Sequence, residues 1–256
     1  MSEKRKFTSV KVSKEGNVTS IVIDPSIFST VDYKFFCSEV EEICTQINED
    51  TQTNVALFSI ENNNPTYSLQ RIDFESIESI EYYRVASKID KIQCPVIVKM
   101  NGYIVDNLLE IALSADIRIA TTESKFVLNH INNGFLPWDG ATQRLPRAIG
   151  KSKSIEMILS GKKLSTEEAL KSGLINYIFS QPTVDKNTAE IVHKLGSLAP
   201  IALRYVKEAV KEGLDMNLRQ GFLFESDLSI LLHSSRDRQK GLDSFKTKEN
   251  PQFTGE

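Results

Sequence analysis

Apolar residues alternate or cluster along the first half of the chain in patterns typical of β-strands. Two short alternating runs around Glu15-Gly16-Asn17 predict an opening β-hairpin over residues 8–23. The dipeptide Asn101-Gly102 is expected to close a later strand. Apolar runs at 55–60 and 95–100 predict strands that are buried on both faces, and residues 116–121 predict a third strand.

Between these runs, apolar positions recur at helical spacing. Helices are predicted at 31–48, 75–92 and 107–114. The alternation of strands and helices implies parallel pairing with right-handed crossovers. The fold class predicted for this part of the chain is therefore α/β.

From Lys151 the pattern becomes mainly helical. Ser165 and Glu168 open one of the helices in the manner of a capping box. We therefore divide the chain into an α/β core over residues 1–195 and a C-terminal helical region over residues 196–256. Four helices are predicted after Lys151, at 154–161, 165–173, 183–212 and 217–233.

Composition and charge narrow the class of protein. A length of 256 residues and a hydrophobic content of 40% suit one large domain, alone or with a helical appendage. A net charge of −3 with both signs interspersed argues against a nucleic-acid surface. The start of the chain lacks the apolar segment of a secretory signal, and no run approaches the roughly 18 apolar residues of a membrane span. We therefore expect a cytoplasmic protein with no nucleic-acid or membrane partner, and with reduced thiols at Cys37, Cys44 and Cys94.

Residues 94–150 carry the most specific pattern in the chain. They run from a strand with Pro95-Val96-Ile97 through Asn101-Gly102 to Glu110, and end in the segment Thr-Gln-Arg-Leu-Pro-Arg at 142–147. In order and spacing, this segment is similar to the signature of the enoyl-CoA hydratase/isomerase (crotonase) superfamily. The resemblance continues through residues 159–179 and ends in DRQKGLDSFKTK, so that it covers most of residues 55–248.

The resemblance implies a crotonase-like core of stacked ββα turns with a helical C-terminal trimerisation region. It also implies an enolate-like intermediate, whose thioester oxygen binds two backbone N–H groups in an oxyanion hole. Transferred by motif, these donors are the amides of Leu69 and Asn107. The chain departs from the family pattern at both places. It has Tyr67-Ser68-Leu69-Gln70 where Ala-Gly-Ala-Asp is usual, and Asp106-Asn107-Leu108 where three glycines are usual.

Glu110 stands where the family places one of its two hydratase glutamates. A carboxylate there could activate a water molecule or move a proton at the substrate α-carbon. The local pattern also allows a second interpretation. Asn107 and Glu110 have the spacing of a capping box, in which Glu110 would bond back to the first amide of its own helix.

His130 occupies the position of the second hydratase glutamate. An imidazole can give or take a proton near neutral pH, which an anionic carboxylate does not do in the same way. His130 is therefore predicted to be catalytic. The alternative is a loop histidine that bonds to Asn129 or Asn132.

Three further residues are predicted at the substrate pocket. Trp138 falls where relatives line the acyl pocket, although it could equally be a core tryptophan. Asp139 is one residue out of register with an additional catalytic aspartate of some relatives. Asp106 is a possible acid, although a helix-capping role would suffice for it.

The resemblance also implies contacts to coenzyme A. Tyr67 and Arg71 flank the first oxyanion-hole segment, and Arg71 could reach a phosphate. Phe245 and Lys248 align with an aromatic residue and a lysine that contact the CoA nucleotide across a subunit boundary in relatives, although the pattern also fits a solvated tail. The acyl group could instead be carried by a carrier protein.

Three functions are compatible with these residues. The first is hydration of an unsaturated acyl-CoA, including a cyclic or dienoyl one, in which Glu110 activates water and His130 or the same water completes the addition. The second is ring-opening C–C hydrolysis or isomerisation of an acyl-CoA. The third is a crotonase-fold binding protein that has lost catalysis. The resemblance implies no metal, nicotinamide or flavin, and it implies a homotrimer or homohexamer.

Overall fold

The centre of the structure is a mixed β-sheet. The computed structural model describes residues 7–25, 33–64, 76–249 and 251–256. The sheet follows the order β1-β2-β3-β4-β5-β8, antiparallel in the first pair and parallel in the others, while β6 pairs with β4 and β7. The strands are β1 (Val10–Glu15), β2 (Val18–Ile23), β3 (Val55–Asn62), β4 (Val96–Val105), β5 (Ile117–Thr121), β6 (Lys125–Val127), β7 (Leu164–Ser165) and β8 (Tyr177–Phe179).

Helices surround this sheet and make up most of the second half of the chain. They are α1 (Tyr33–Glu49), α2 (Ile77–Tyr82), α3 (Val85–Ile89), α4 (Asn107–Leu113), α5 (Ala141–Ile149), α6 (Lys151–Ser160), α7 (Thr166–Ser172), α8 (Val184–Gly196), α9 (Pro200–Gly213), α10 (Leu218–His233) and α11 (Arg236–Thr247). A 3₁₀ turn covers His130–Asn133. None of the helices in the described ranges is long and apolar enough to cross a membrane.

Several predicted elements are confirmed, together with the turn and capping residues at their ends. The opening hairpin forms, and Gly16 makes its turn with φ 57°. The side chains of Ser165 and Glu168 exchange the two hydrogen bonds of a capping box at the start of α7. Gly161 and Gly173 end α6 and α7 in the left-handed conformation that glycine adopts without strain.

Strand β4 does not end at Asn101-Gly102, as the sequence predicted, but continues to Val105. Its first half pairs with β3 and β5, and its second half pairs with β6. Gly102 lies at the junction with φ 82°, and a Cβ there would lie 2.2 Å from the carbonyl oxygen of Asn62. Glycine therefore lets the strand bend while it passes close to the backbone of β3.

Two predicted helices are each divided in two. Residues 75–92 contain α2 and α3, separated at Arg84, whose ψ of 79° is not helical. Residues 183–212 contain α8 and α9, and Pro200 occupies the first turn of α9. Proline has no N–H and restricts the residue before it, so that it starts a helix more readily than it continues one.

The largest apolar core lies between the sheet and helices α1, α3 and α4. The C-terminal helices contribute little to it. In α10 only Leu228 is buried, whereas α9 and α10 leave many large apolar side chains in solvent. We call this surface the C-terminal apolar face; it comprises Val206, Val210, Leu214, Leu218, Phe222, Leu223, Ile230 and Leu231.

Ion pairs hold α9 against the rest of the same chain. Lys207 Nζ lies 2.7 Å from the carboxylate of Asp116 and also donates to the carbonyl oxygen of Cys94. Lys211 Nζ lies 3.2 Å from a carboxylate oxygen of Asp90. These ion pairs attach α9, one of the two helices that carry the C-terminal apolar face, to the core.

Gly102→Ala is expected to destabilise the fold strongly. The new Cβ would clash with the carbonyl oxygen of Asn62, and alanine is strained at a positive φ. We expect a loss of at least about 2 kcal/mol in the free energy of unfolding, measured by urea denaturation. Gly16→Ala is the control, since its φ is 57° but no atom lies within 4 Å of the added Cβ. Equal losses in the two variants would contradict the proposed close approach at Gly102.

Candidate active site

The turn between β4 and α4 positions most of the candidate residues. Asp106 makes this turn with φ 49° and ψ −117°, a conformation that is common for glycine and rare for other residues. Its carbonyl oxygen accepts hydrogen bonds from the N–H groups of Leu109 and Glu110. The N–H groups of Asn107 and Leu108 therefore stand at the open start of α4, without an acceptor inside the helix.

Glu110 points into the protein and is fully buried, with an exposed fraction of 0%. Its Oε1 accepts hydrogen bonds from the N–H groups of Asp139, at 2.9 Å, and Ala141, at 3.0 Å. The capping-box interpretation is therefore wrong, because the side chain bonds to a distant loop and not to the start of its own helix. Within the described ranges, Oε2 has no hydrogen-bond partner and lies 3.6 Å from Nε2 of His130.

His130 lies between two carboxyl groups and is only 4% exposed. Its Nε2 faces Glu110, and its Nδ1 lies 3.3 Å from Oδ1 of Asp106. The second distance lies within hydrogen-bonding range, but neither ring nitrogen forms a hydrogen bond in this structure. Neither ring nitrogen bonds to Asn129 or Asn132, the partners that the alternative interpretation required.

The carboxylate of Asp106 is directed away from α4. It makes no capping hydrogen bond to the helix, so the predicted capping role is not found. Its Oδ1 instead accepts a hydrogen bond from the backbone N–H of Asn129, the residue before His130. Asp106 thus connects the end of β4 to the segment that carries the imidazole.

Buried polar atoms without hydrogen bonds are concentrated at this place. They include both side-chain polar atoms of Asn107, Oε2 of Glu110 and both ring nitrogens of His130. Leaving one such group unpaired costs about 1–3 kcal/mol, and native proteins keep few of them. Their concentration around the start of α4 is typical of a site that binds a polar ligand.

Asp139 lies beside Glu110 but is engaged in another contact. Its carboxylate accepts hydrogen bonds from the backbone N–H groups of Ala86 and Ser87, in the first turn of α3. Asp139 therefore caps α3 from a distant part of the chain, since the residue that precedes this helix makes no capping hydrogen bond. Its backbone N–H is the group that reaches Glu110, and its assignment to the substrate pocket stays a prediction.

Trp138 forms a wall next to the imidazole. Its ring meets that of His130 edge to face, with the ring centroids 5.3 Å apart and an interplanar angle of 88°. On its other side Trp138 lines a cleft of about 800 Å³, together with Ile80, Arg84 and Arg144. Trp138 therefore borders both the imidazole of His130 and this cleft, and its partial exposure agrees with a pocket wall better than with a core residue.

Burial changes the charges of these side chains. Burial, followed by the nearby charge of Asp139, raises the pKa of Glu110 to about 8. Burial lowers the pKa of His130 to about 4 and raises the pKa of Asp106 to about 6. At neutral pH, Glu110 is therefore protonated, the imidazole of His130 is uncharged and Asp106 is ionised.

The remaining predicted residues lie away from this cluster or outside the described ranges. Leu69, Tyr67 and Arg71 fall in the segment 65–75, which lies outside the described residues. Phe245 near the end of α11 is 87% exposed, and Lys248 ends that helix with a left-handed φ of 61°. Their contact with CoA stays a prediction. Among the described residues, no group of His, Cys, Asp or Glu could hold a metal ion.

Two features of the site were not predicted from the sequence. One is the pair of backbone N–H groups that bind Glu110, and the other is the side-chain amide of Asn107, which has no hydrogen-bond partner among the described residues. The donors at Asp139 and Ala141 lie in the turn before α5, about thirty positions after Glu110 in the chain. Such a contact leaves no local pattern. Gly140, which allows this turn with φ 101°, was the one available signal.

Comparisons with known proteins agree with the fold. A crystal structure of an enoyl-CoA hydratase from Bacillus anthracis superimposes with a TM-score of 0.89 at 27% identity, covering 97% of this chain and 100% of that one. A second one from Geobacillus kaustophilus superimposes with a TM-score of 0.88 at 25% identity, covering 98% and 100%. The molecule thus has the crotonase fold, and the predicted α/β core with its C-terminal helices is confirmed.

Similarity in sequence defines the family. The model of the enoyl-CoA hydratase/isomerase family matches residues 66–256, and the chain belongs to this family. An (E)-benzylidenesuccinyl-CoA hydratase of Thauera aromatica is 36% identical, and a 2,3-dehydroadipyl-CoA hydratase of Escherichia coli K12 is 32% identical. In both cases the matched stretch spans 161 residues, which is 63% of this chain and 63% of the relative.

Glu110→Gln is expected to remove a pH dependence of stability. Because the folded protein raises the pKa of Glu110 from 4.5 to about 8, the stability that this group contributes is fully present below about pH 4.5 and is lost as the pH rises through about 8. Glutamine can accept the same two backbone hydrogen bonds but does not ionise. The variant should therefore become more stable than the natural protein above pH 8, by a few kcal/mol.

The measurement is urea denaturation of both proteins at pH 5, 7 and 9. Glu61→Gln serves as the control, since Glu61 is exposed at the end of β3. A constant difference between Glu110→Gln and the natural protein at all three pH values would show that Glu110 titrates normally.

Proposed function

We propose that the protein adds water to the double bond of an α,β-unsaturated acyl thioester of coenzyme A. One observation carries this proposal: a fully buried carboxyl group whose Oε2 has no hydrogen-bond partner in the described ranges and faces the Nε2 of a buried imidazole at 3.6 Å. Such a pair holds one transferable proton and one free base in a water-poor site. The related proteins of T. aromatica and E. coli, whose names describe acyl-CoA hydratases, support the same chemistry.

The pKa directions suggest an exchange of the roles expected from the sequence. Glu110 was expected to activate water, but its raised pKa makes it an acid at neutral pH. His130 remains uncharged and can accept a proton at Nε2. We therefore assign His130 as the general base and Glu110 as the general acid.

The proposed reaction has three steps, in which all atoms and charges are accounted for. The oxygen of a water molecule bonds to the β-carbon while one of its protons passes to Nε2 of His130, and the electrons of the double bond move to the thioester oxygen as an enolate. Glu110 Oε2 next transfers its proton to the α-carbon as the carbonyl re-forms. Finally, the proton on His130 returns to Glu110 across the 3.6 Å between them, which restores the starting state.

The developing negative charge on the thioester oxygen requires hydrogen-bond donors. The N–H of Asn107 at the open start of α4 is suited to this role, since the turn at Asp106 leaves it without an acceptor in the helix. Leu69 remains the proposed second donor on the basis of the family pattern. No metal or redox cofactor enters the proposed steps, since the charge is neutralised by donors and proton transfers.

The cleft next to Trp138 is the proposed site of the acyl group. Its volume of about 800 Å³ accommodates a bulky or cyclic acyl group, and Trp138 offers a flat apolar wall. Arg84, Arg144 and Arg147 also line it, against one aspartate, Asp215. Each of these arginines lies beside a carboxylate, Glu81, Asp90 and Asp215 respectively, so the charge of the cleft does not select the acyl group.

We further propose that the chain assembles through the C-terminal apolar face. Eight large apolar side chains on α9, α10 and the turn between them are exposed, including Leu218 at 74% and Ile230 at 69%. A large exposed apolar surface commonly marks a site of protein–protein interaction. A homotrimer or a homohexamer, as the family resemblance implies, would bury it.

Hydratase activity is expected to fall as Glu110 loses its proton. With purified protein and a panel of unsaturated acyl-CoA esters, mass spectrometry should detect a reversible gain of the mass of one water. The value of kcat/KM should decline above about pH 8, because the ionised form of Glu110 cannot protonate the α-carbon. Glu110→Gln should lower kcat by about two orders of magnitude or more and still bind the ester.

Three results would contradict this account. Activity that rises through pH 8 would make Glu110 the base. A product with a new carboxylate or an unchanged mass would indicate ring-opening hydrolysis or isomerisation. No turnover of any thioester would favour a binding protein that has lost catalysis. Glu61→Gln is again the matched control and should retain full activity, since it lies on β3 outside the site.

Leu223→Glu combined with Ile230→Glu is expected to dissociate the assembly. Charges on this face cannot be buried without a large desolvation cost. Light scattering should give three or six times the chain mass of 28.8 kDa for the natural protein, and the mass of one chain for the variant. Val12→Glu, an exposed apolar position on β1, should leave the mass unchanged. A natural protein of single-chain mass would refute the proposed interface.

A further inference from the structure

Asp106 has a backbone conformation that its side chain does not favour. Its φ is 49°, and among the described non-glycine residues only Lys248 shares a positive φ. Lys248 is an exposed helix end, where the left-handed conformation is common. Asp106 is buried and combines its positive φ with a ψ of −117°, which a β-carbon disfavours.

The strain at Asp106 is not explained by the start of α4. A glycine would make the same turn without strain, and the aspartate side chain forms no capping hydrogen bond to the helix. Nor is it explained by burial, since the carboxylate loses solvation at this position. What the side chain adds over glycine is a carboxylate next to the segment that bears His130.

Within the described part of the chain, the contacts of this carboxylate lie on that segment. Oδ1 accepts a hydrogen bond from the N–H of Asn129, and the same oxygen lies 3.3 Å from Nδ1 of His130. On the opposite side of the ring, Nε2 faces Oε2 of Glu110 at 3.6 Å. The imidazole is therefore placed between a carboxylate that is held by the backbone and a carboxyl group with an unpaired oxygen.

We propose that Asp106 is a positioning residue that selects the tautomer of His130. A carboxylate at Nδ1 favours the form in which Nδ1 carries the proton, which leaves the lone pair of Nε2 directed toward Glu110. The inference rests on the proposed function, since it explains why His130 can act as the base. It replaces the assignment of Asp106 to the substrate pocket with an indirect role through His130.

Among the residues that the structure describes, no other group lies at the ring nitrogens to take this role. The titratable side chains at its two nitrogens are Asp106, from the turn before α4, and Glu110, from α4. The remaining ring neighbour is the edge-to-face Trp138, from the loop before α5. Nδ1 forms no hydrogen bond in this structure, and such contacts in unliganded sites often tighten when substrate binds.

Two variants separate this role from a purely structural one. Asp106→Asn removes the charge and tolerates a positive φ, while Asp106→Gly removes the whole side chain and fits the turn without strain. Asp116→Asn is the matched control. Asp116 also accepts a backbone hydrogen bond, from Val96, and contacts the base Lys207, but no imidazole lies beside it.

The first measurement requires no substrate. The protein contains three histidines, and in ¹⁵N-labelled protein the signals absent from His130→Gln belong to His130. At neutral pH they should show protonated Nδ1 in the natural protein and in Asp116→Asn. In both Asp106 variants they should shift toward a mixture of the two tautomers. A natural protein with protonated Nε2, or Asp106 variants with unchanged signals, would overturn the inference.

The second measurement is steady-state hydration by the same proteins. Both Asp106 variants should lower kcat by about tenfold or more, with KM changed by less than about threefold, because the base and not the binding of substrate is affected. Folded Asp106 variants with the kcat of the natural protein would also overturn the inference. If the natural protein hydrates no thioester, the proposed function fails, and the tautomer measurement still decides the role of Asp106.

Discussion

The charges and the proposed chemistry of the site depend on the burial of one carboxyl group, that of Glu110. Glu110 is removed from solvent with Oε1 fixed by two backbone N–H groups and Oε2 directed at the imidazole of His130. A charged carboxylate in this environment lacks the solvation or the cation that would stabilise it, so the proton stays on Glu110 and the imidazole stays uncharged. The acid and the base of the proposed reaction are therefore defined by where the fold places these two side chains.

Other parts of the core position Glu110 next to His130. The bend at Gly102 carries β4 from one sheet partner to the next and brings its end to Asp106, from which α4 begins with Glu110 one turn later. The loop before α5 supplies the two backbone donors, and the carboxylate of Asp139 ties that loop to the start of α3. A change in any of these contacts alters the distance between the carboxyl group and the ring, and with it the chemistry.

Much of the fold could be predicted from the sequence, because its signals are local. Hydrophobic periodicity located the hairpin, β3 and α10, and the capping box at Ser165 located α7. The break at Pro200 had a visible signal that the periodicity outweighed, and the break at Arg84 depends on Asp139, which lies over fifty positions away. The family pattern indicated Glu110 and His130, but their charges could not be derived from it. Charge depends on burial and on atoms contributed by separate loops, and these become visible only in three dimensions.

The most direct test of the central claim is the protonation state of Glu110 in the folded protein. Infrared difference spectra between the natural protein and Glu110→Gln, recorded from pH 5 to pH 10, isolate the carbonyl stretch of a single protonated carboxylic acid. The band should be present at neutral pH, fall to half its intensity near pH 8 and vanish toward pH 10. The absence of the band at neutral pH, with a carboxylate signal in its place, would contradict the central claim.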